Sequence, residues 1–223
     1  MAAALRILFL TPQLPYPPRQ GRSLRNYNLL RYLAGRHQVS LLSFAEPGTR
    51  PQDLAHLSSL CRAVQTVPAP VRRLRHRLWT LVASPWPDRA WRLASSDFSR
   101  ALLAWLRREP QDVLQVEGIE MARYLWAGSR PLVVFDDHNA EYLLQRRACL
   151  TDLAEPRRWP AAAYSFVQWR RLRRFERQVS CRADRVVAVS EADAQALSAL
   201  QPGLRAVVVP NGVDLAAYRP DHP

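Results

Sequence analysis

The sequence predicts an α/β fold, a Rossmann-like parallel sheet with helices on both faces. Three observations point there. Apolar, strand-like runs at residues 5–11, 39–44 and 63–67 alternate with stretches of helical length and periodicity. Strand, helix, strand, helix, strand is the beginning of a parallel sheet, whose neighbouring strands need helical crossovers. The same alternation returns late in the chain, at residues 185–189, 191–200 and 205–209.

The elements follow in order. Residues 5–11 read as a buried strand and 23–34 as a helix, with Ser23 suited to cap it. Leu24, Tyr27, Leu29, Leu30 and Leu33 supply the apolar positions of that helix, and Gly35 a stop. After the strand at 39–44, residues 51–60 are helical and 63–67 a short strand. The alternation loosens over residues 68–94, a possible helical excursion limited by Pro85 and Pro87. Residues 98–107 form a helix, 113–116 a short central strand, 119–126 a helix and 131–135 a clear strand. Residues 141–183 are mostly helical, with breaks expected near Pro156 and Pro160. No internal repeat or low-complexity segment interrupts this, so residues 1–214 read as one domain.

A chain of 223 residues with 48% hydrophobic residues is long enough for one sizeable core and excludes disorder as the main state. The formal charge is +13, and all 32 basic residues are arginine. Guanidinium forks suit phosphates and carboxylates, and their stems lie readily along apolar surface. Cys61, Cys149 and Cys181 are far apart, without metal-ligand spacing or the density of a disulfide scaffold. The apolar amino terminus is short and interrupted by Arg6, unlike a signal peptide. A cytoplasmic location is expected, with the inner face of the membrane open as a peripheral surface.

Three places offer chemistry. Pro15-Tyr-Pro-Pro-Arg-Gln-Gly21 joins the first strand to the first helix, where helix amides and Gly21 let an anion approach, with Arg19, Arg22 and Arg25 adding charge. A tight turn with solvated arginines reads equally well, because neither a dinucleotide fingerprint nor a Walker loop is present. Asp136-Asp-His-Asn-Ala-Glu141 follows the strand at 131–135 and sets carboxylates and an imidazole at the active edge of the sheet. His138 can exchange protons or hold a hydroxyl or phosphate, and Asp137 can orient it. Asn139 and Glu141 can bind substrate or cap the following helix. Ser190 suits a helix cap and Glu191 its positive end, with substrate contact as the alternative for both. Pro210-Asn-Gly212 is a turn. The remaining histidines are scattered, so no zinc site is expected, and no nucleophile elbow is present.

The opening Leu8-Phe-Leu-Thr-Pro-Gln-Leu-Pro-Tyr-Pro-Pro18 with Gly21, then Asp137-His-Asn-Ala-Glu141, Ala183-Asp-Arg-Val-Val-Ala-Val-Ser-Glu191 and Pro210-Asn-Gly-Val-Asp214, form one ordered series. In order and spacing it resembles the amino-terminal domain of retaining, two-Rossmann-domain (GT-B, family 4-like) glycosyltransferases. The similarity is strongest to bacterial sugar transferases of exopolysaccharide and exosortase systems. It implies transfer from a nucleotide-sugar donor to a glycan or polyprenyl-linked acceptor with retention of configuration. By that resemblance Gly21 approaches the donor diphosphate, His138 contacts the transferred sugar, and Asp137 with Glu141 shapes the acceptor side. Asn211 lies at the interdomain crossing, and Arg22, Asn139, Ser190 and Glu191 join the substrate-binding candidates. No cofactor is implied, since the nucleotide sugar is a substrate, and no metal is expected. The series reaches only the crossing, with residues 215–223 as linker. The nucleotide-binding domain is therefore expected in cis or in trans, and the chain alone is expected to be incomplete for catalysis. A noncatalytic acceptor-binding or partner subunit is the alternative.

Two arginine clusters remain, Arg72-Arg-Leu-Arg-His-Arg77 and Arg170-Arg-Leu-Arg-Arg174. A solvated basic face, with Trp79, Trp86 and Trp91 turned inward beside the first cluster, competes with contact to an anionic membrane. Nucleic acid is not expected, because no nucleic-acid-binding fold accompanies the clusters.

Overall fold

A computed structural model describes residues 3–126 and 131–212. Seven parallel strands form one sheet in the order β3-β2-β1-β4-β5-β6-β7. The strands are β1 (Arg6–Thr11), β2 (Gln38–Ala45), β3 (Ala63–Pro68), β4 (Val113–Glu117), β5 (Leu132–Asp137), β6 (Arg185–Ala188) and β7 (Val207–Val208). The helices are α1 (Gly21–Ala34), α2 (Pro51–Leu60), α3 (Leu74–Ala83), α4 (Asp88–Arg92), α5 (Ser96–Arg108), α6 (Glu141–Leu153), α7 (Trp159–Arg182) and α8 (Glu191–Ser198).

Alternation along β1 explains why both faces are covered. Ile7 and Phe9 point to one side, where Leu30 of α1 and Leu57 of α2 complete a small core. Leu8 and Leu10 point to the other, into a larger core with Phe98 and Trp105 of α5 and Leu172, Phe175 and Val179 of α7. Successive side chains of a strand alternate faces, so apolar residues at every position require cover on both. The α/β expectation holds.

Local corrections have physical causes. Ser23 stands inside α1; its hydroxyl accepts the Gln20 amide at 3.0 Å and donates to the Gln20 carbonyl at 2.9 Å, so Gln20 is the cap. Residues 119–126 make only a short 3-10 turn over Ala122–Trp126. The helical run does break between Leu153 and Trp159, beside Pro156 and Pro160, and Pro160 costs α7 no hydrogen bond because it sits in the first turn. β5 runs on through Asp136 and Asp137, which were expected just beyond it, because their backbones pair with Val187 and Ala188 of β6. Val213, Asp214 and the expected linker at 215–223 lie outside the described residues.

The sheet order reverses between β1 and β4: β2 and β3 lie to one side of β1, β4 to β7 to the other. Crevices at the carboxyl edge of such a reversal are where open α/β sheets bind ligands.

Candidate functional site

The carboxyl edge gathers the start of α1 after β1, Glu117 and Gly118 after β4, Asp136 to His138 at the end of β5, Ser190 after β6 and Asn211 after β7. His138 is the titratable ring at this edge. Its Nε2 lies 3.0 Å from Glu117 Oε2. Glu117 is wholly buried, and its other oxygen accepts from Gln115 Nε2 at 2.8 Å. Asn26, with its amide turned to satisfy both ends, donates to Glu117 Oε2 at 2.9 Å. A carboxylate held by these donors can only accept, so the Nε2 of His138 presents a proton to it. Gly118, at φ +81°, turns the chain in the left-handed region; a Cβ there would meet the His138 ring at 3.8 Å.

Beside this pair, Arg25 crosses the edge almost fully buried. Its Nη2 meets Asp136 Oδ2 at 2.7 Å, and its Nη1 donates to the Val209 carbonyl at 2.9 Å and to Asn211 Oδ1 at 3.0 Å. One guanidinium thereby ties α1, β5 and the turn after β7. Burial, then the Glu117 charge, pushes Asp136 up to about 6, against the pull of His138 and Arg25. The donor atoms of Glu117, Asp136 and His138 lie within 4.8 Å of one another, a spacing that a metal ion can use. Arg25 supplies a cationic partner to Asp136 Oδ2, while Asp136 Oδ1 is buried without a hydrogen-bond partner among the described residues.

A second charged cluster forms around Glu120, itself buried. Arg22 stands 3.6 Å from one carboxylate oxygen, while Arg89 and Arg92 stand 3.5 and 3.8 Å from the other. Arg89 also donates to Glu141 Oε1 at 2.8 Å. Burial raises the Glu141 pKa and Arg89 opposes that rise.

Asp137 faces away from this cluster and is fully buried. Both of its carboxylate oxygens are buried without a hydrogen-bond partner among the described residues, beside the carboxyl of Glu176 of α7. Burial, with neighbouring carboxylates adding, lifts Asp137 well above the usual range and Glu176 up to about 8. Glu176 accepts the amides of Glu141 at 2.6 Å and Tyr142 at 2.9 Å, which pull its pKa back against the larger effect of burial. Glu176 is thus the cap of α6, the role for which Asn139 and Glu141 were candidates. Asn139 is exposed at the rim. Ser190 caps α8 by accepting the Asp193 amide at 3.1 Å, and Asp193 accepts the Ala140 amide at 3.0 Å. Glu191 is exposed in the first turn of α8.

Gly21 opens α1 and lines a cleft of about 250 Å³ with Arg25, Asn28, Pro210 and Asn211. A Cβ on Gly21 would meet no protein atom within 4 Å. A larger cleft of about 360 Å³ lies on the other side of the β1–α1 loop, between Tyr16, Arg19, Glu46 and Arg50. The structure therefore brings Gly21, Arg22, His138, Glu141 and Asn211 to one edge and withdraws Asp137 beneath it. Sequence reading missed Glu117, Glu120 and Glu176. For the first two, acidic residues directly after a short apolar strand were the available signal.

Residues 21–217 match glycosyltransferase family 4. No curated protein matches the chain. Among solved structures, Anabaena Alr3699/HepE in complex with UDP and glucose is similar at TM-score 0.52 and 15% identity, over 96% of this chain and 46% of that one. Phytolacca americana UGT2, complexed with UDP-2fluoro-glucose and pterostilbene, is similar at TM-score 0.51 and 12% identity, over 96% of this chain and 55% of that one. The chain thus spans about half the length of these structures, and at such identity the likeness establishes the fold. Among the described residues, no helix is long and apolar enough to cross a membrane.

Proposed function

The chain belongs to glycosyltransferase family 4, and from that premise we propose that residues 1–214 form the acceptor-side domain of a two-domain retaining transferase. It moves a sugar from a nucleotide-sugar donor to a glycan or polyprenyl-linked acceptor in exopolysaccharide or cell-surface glycan synthesis. A second domain, in cis or in trans, supplies nucleotide recognition. The observation that carries the reading is the family match over residues 21–217, coinciding with His138, Arg22 and Gly21 at the sheet reversal.

In this mechanism the free amides of α1 and the Arg22 guanidinium face the donor diphosphate. Gly21 leaves its backbone open to approach. Glu117 holds the Nε2 side of His138, which leaves Nδ1 to meet a hydroxyl of the transferred sugar. Glu141, oriented by Arg89, shapes the acceptor side, with Asn139, Ser190 and Glu191 at its rim. Asp137 lies below, buried beside the Glu176 carboxyl that holds the start of α6. The acceptor attacks from the face that the diphosphate leaves. The departing phosphate carries the developing charge, so preorganised positive charge matters more than a strong side-chain base.

The test is transfer of radiolabelled sugar from a panel of nucleotide sugars to lipid-linked and glycan acceptors, with product configuration read by NMR coupling constants. Retention, with His138→Ala slower by about 100-fold or more, supports the reading. Inversion, or full activity without His138, overturns it. The second reading is a noncatalytic acceptor-binding or partner subunit of a split glycosyltransferase. It would appear as acceptor binding without transfer even when a donor-binding domain is supplied.

A further inference from the structure

We propose that helix α3 and the turn before it form a docking surface for an anionic lipid bilayer. The inference rests on how the helix is seated, and stands independently of the transferase reading.

α3 is turned inside out. In a globular protein an amphipathic helix buries its apolar stripe and shows its polar side to water. Here Thr80 is buried against the domain, while Leu74 is 68% exposed, Leu78 57% and Val82 86%. Positions 74, 78 and 82 recur every four residues and make one stripe along the ten-residue helix. Trp79 at 62% exposure and Val71 at 88%, in the turn before the helix, extend the apolar surface. Of the three tryptophans in this segment, Trp86 and Trp91 pack on each other at 6.0 Å, and Trp86 also reaches Phe175. Only Trp79 of these three is left outside.

The polar side of α3 is held firmly, so its exposure is not that of a loose end. Arg72 bonds Asp88 at 2.7 Å and Thr80 Oγ1 at 2.7 Å. From α7, Arg171 donates to the carbonyl of Leu81 at 2.7 Å. The domain grips this helix by its polar atoms and presents its apolar ones.

Charge selects the occupant. Residues 68–87 contain four arginines and no Asp or Glu. With Arg72 taken up by Asp88, Arg73 and Arg75 stay exposed beside the stripe. Apolar side chains with an interfacial tryptophan, bordered by cations on long stems, fit a helix lying in the headgroup region of an acidic membrane. The bilayer supplies both the apolar layer and the negative charge that the protein withholds here.

Flotation of the whole chain with vesicles of phosphatidylcholine alone, and with vesicles containing phosphatidylglycerol, tests this. The expected result is binding to the phosphatidylglycerol vesicles only, released by salt. The Leu78→Glu/Val82→Glu double variant should weaken binding by more than about tenfold with an unchanged melting temperature, because neither side chain supports the core. Arg73→Ala and Arg75→Ala should each weaken it about fivefold. Absence of flotation, equal binding to both vesicle types, or a double variant that floats like the parent overturns the proposal. So does a dimer, seen by light scattering, that the double variant dissolves while vesicles go unbound; a second copy of the chain would then cover the stripe. Sugar transfer is not the readout, so either proposal can fail without the other.

Discussion

The same four residues, Arg-Arg-Leu-Arg, occur at 72–75 and at 170–173, and the fold seats them in opposite ways. In α7, Leu172 is 1% exposed and packs with Phe175 and Val179 in the main core, while Arg170 and Arg173 face water. At the start of α3, Leu74 is 68% exposed. The composition is identical, and only the surroundings differ. Leu172 has a sheet face beneath it. Leu74 belongs to a helix held by Arg72 and Arg171 through polar atoms, so its apolar side is left outward. An arginine-rich amphipathic pattern therefore says that a helix has two sides, and tertiary anchoring decides which side the domain keeps.

The contrast can be broken first at the leucines. Leu172→Ala should cost about 2–5 kcal/mol, read by urea denaturation; a loss below that range would mean α7 is less committed to the core than its burial implies. Arg171→Ala removes the donor to two α3 carbonyls and should cost about 1.5–3 kcal/mol, with α3 amides losing hydrogen-exchange protection before those of α7. Glu176, one turn beyond Leu172 on the inward side of α7, sharpens the picture through pH. Its folded pKa is raised from 4.5 to about 8, so the native state holds a proton that the unfolded chain releases. That contribution is fully present below about pH 4.5 and is lost as the pH climbs through about 8. Melting temperatures should fall across this window in the parent chain and fall less steeply in Glu176→Gln; parallel curves would contradict a Glu176 carboxyl raised by burial. At the other extreme, Leu74→Ala should change stability by less than about 0.5 kcal/mol, and a larger loss would show that α3 contributes to the core.

The parallel sheet was legible because apolar runs and crossover helices are local patterns, and α2 was read to the residue. The candidate edge was legible in part. Gly21, His138 and Asn211 announced themselves by following strands or opening a helix. Their partners did not, because Glu117 lies 21 residues from His138, Asp136 lies 111 from Arg25, and Glu176 lies 35 from Glu141. Nothing in the local pattern names a partner at such separations. Arg25 stood out only as one arginine among several near Gly21, and its burial over Asp136 is a product of the assembled sheet. The first arginine cluster was ambiguous for the same reason: periodicity gave α3 two sides without saying which one the domain would hold.

The cap of α6 bears on the order in which this molecule assembles. Ala140 offers no side chain to the first amides of the helix, and Glu176 provides the acceptor from α7. The beginning of α6 is thus completed by a residue that becomes available only after the chain has passed its end, reversed and run back alongside. The two helices should therefore appear together or not at all. In hydrogen exchange the amides of Glu141 and Tyr142 should open with those of α7, as one cooperative unit.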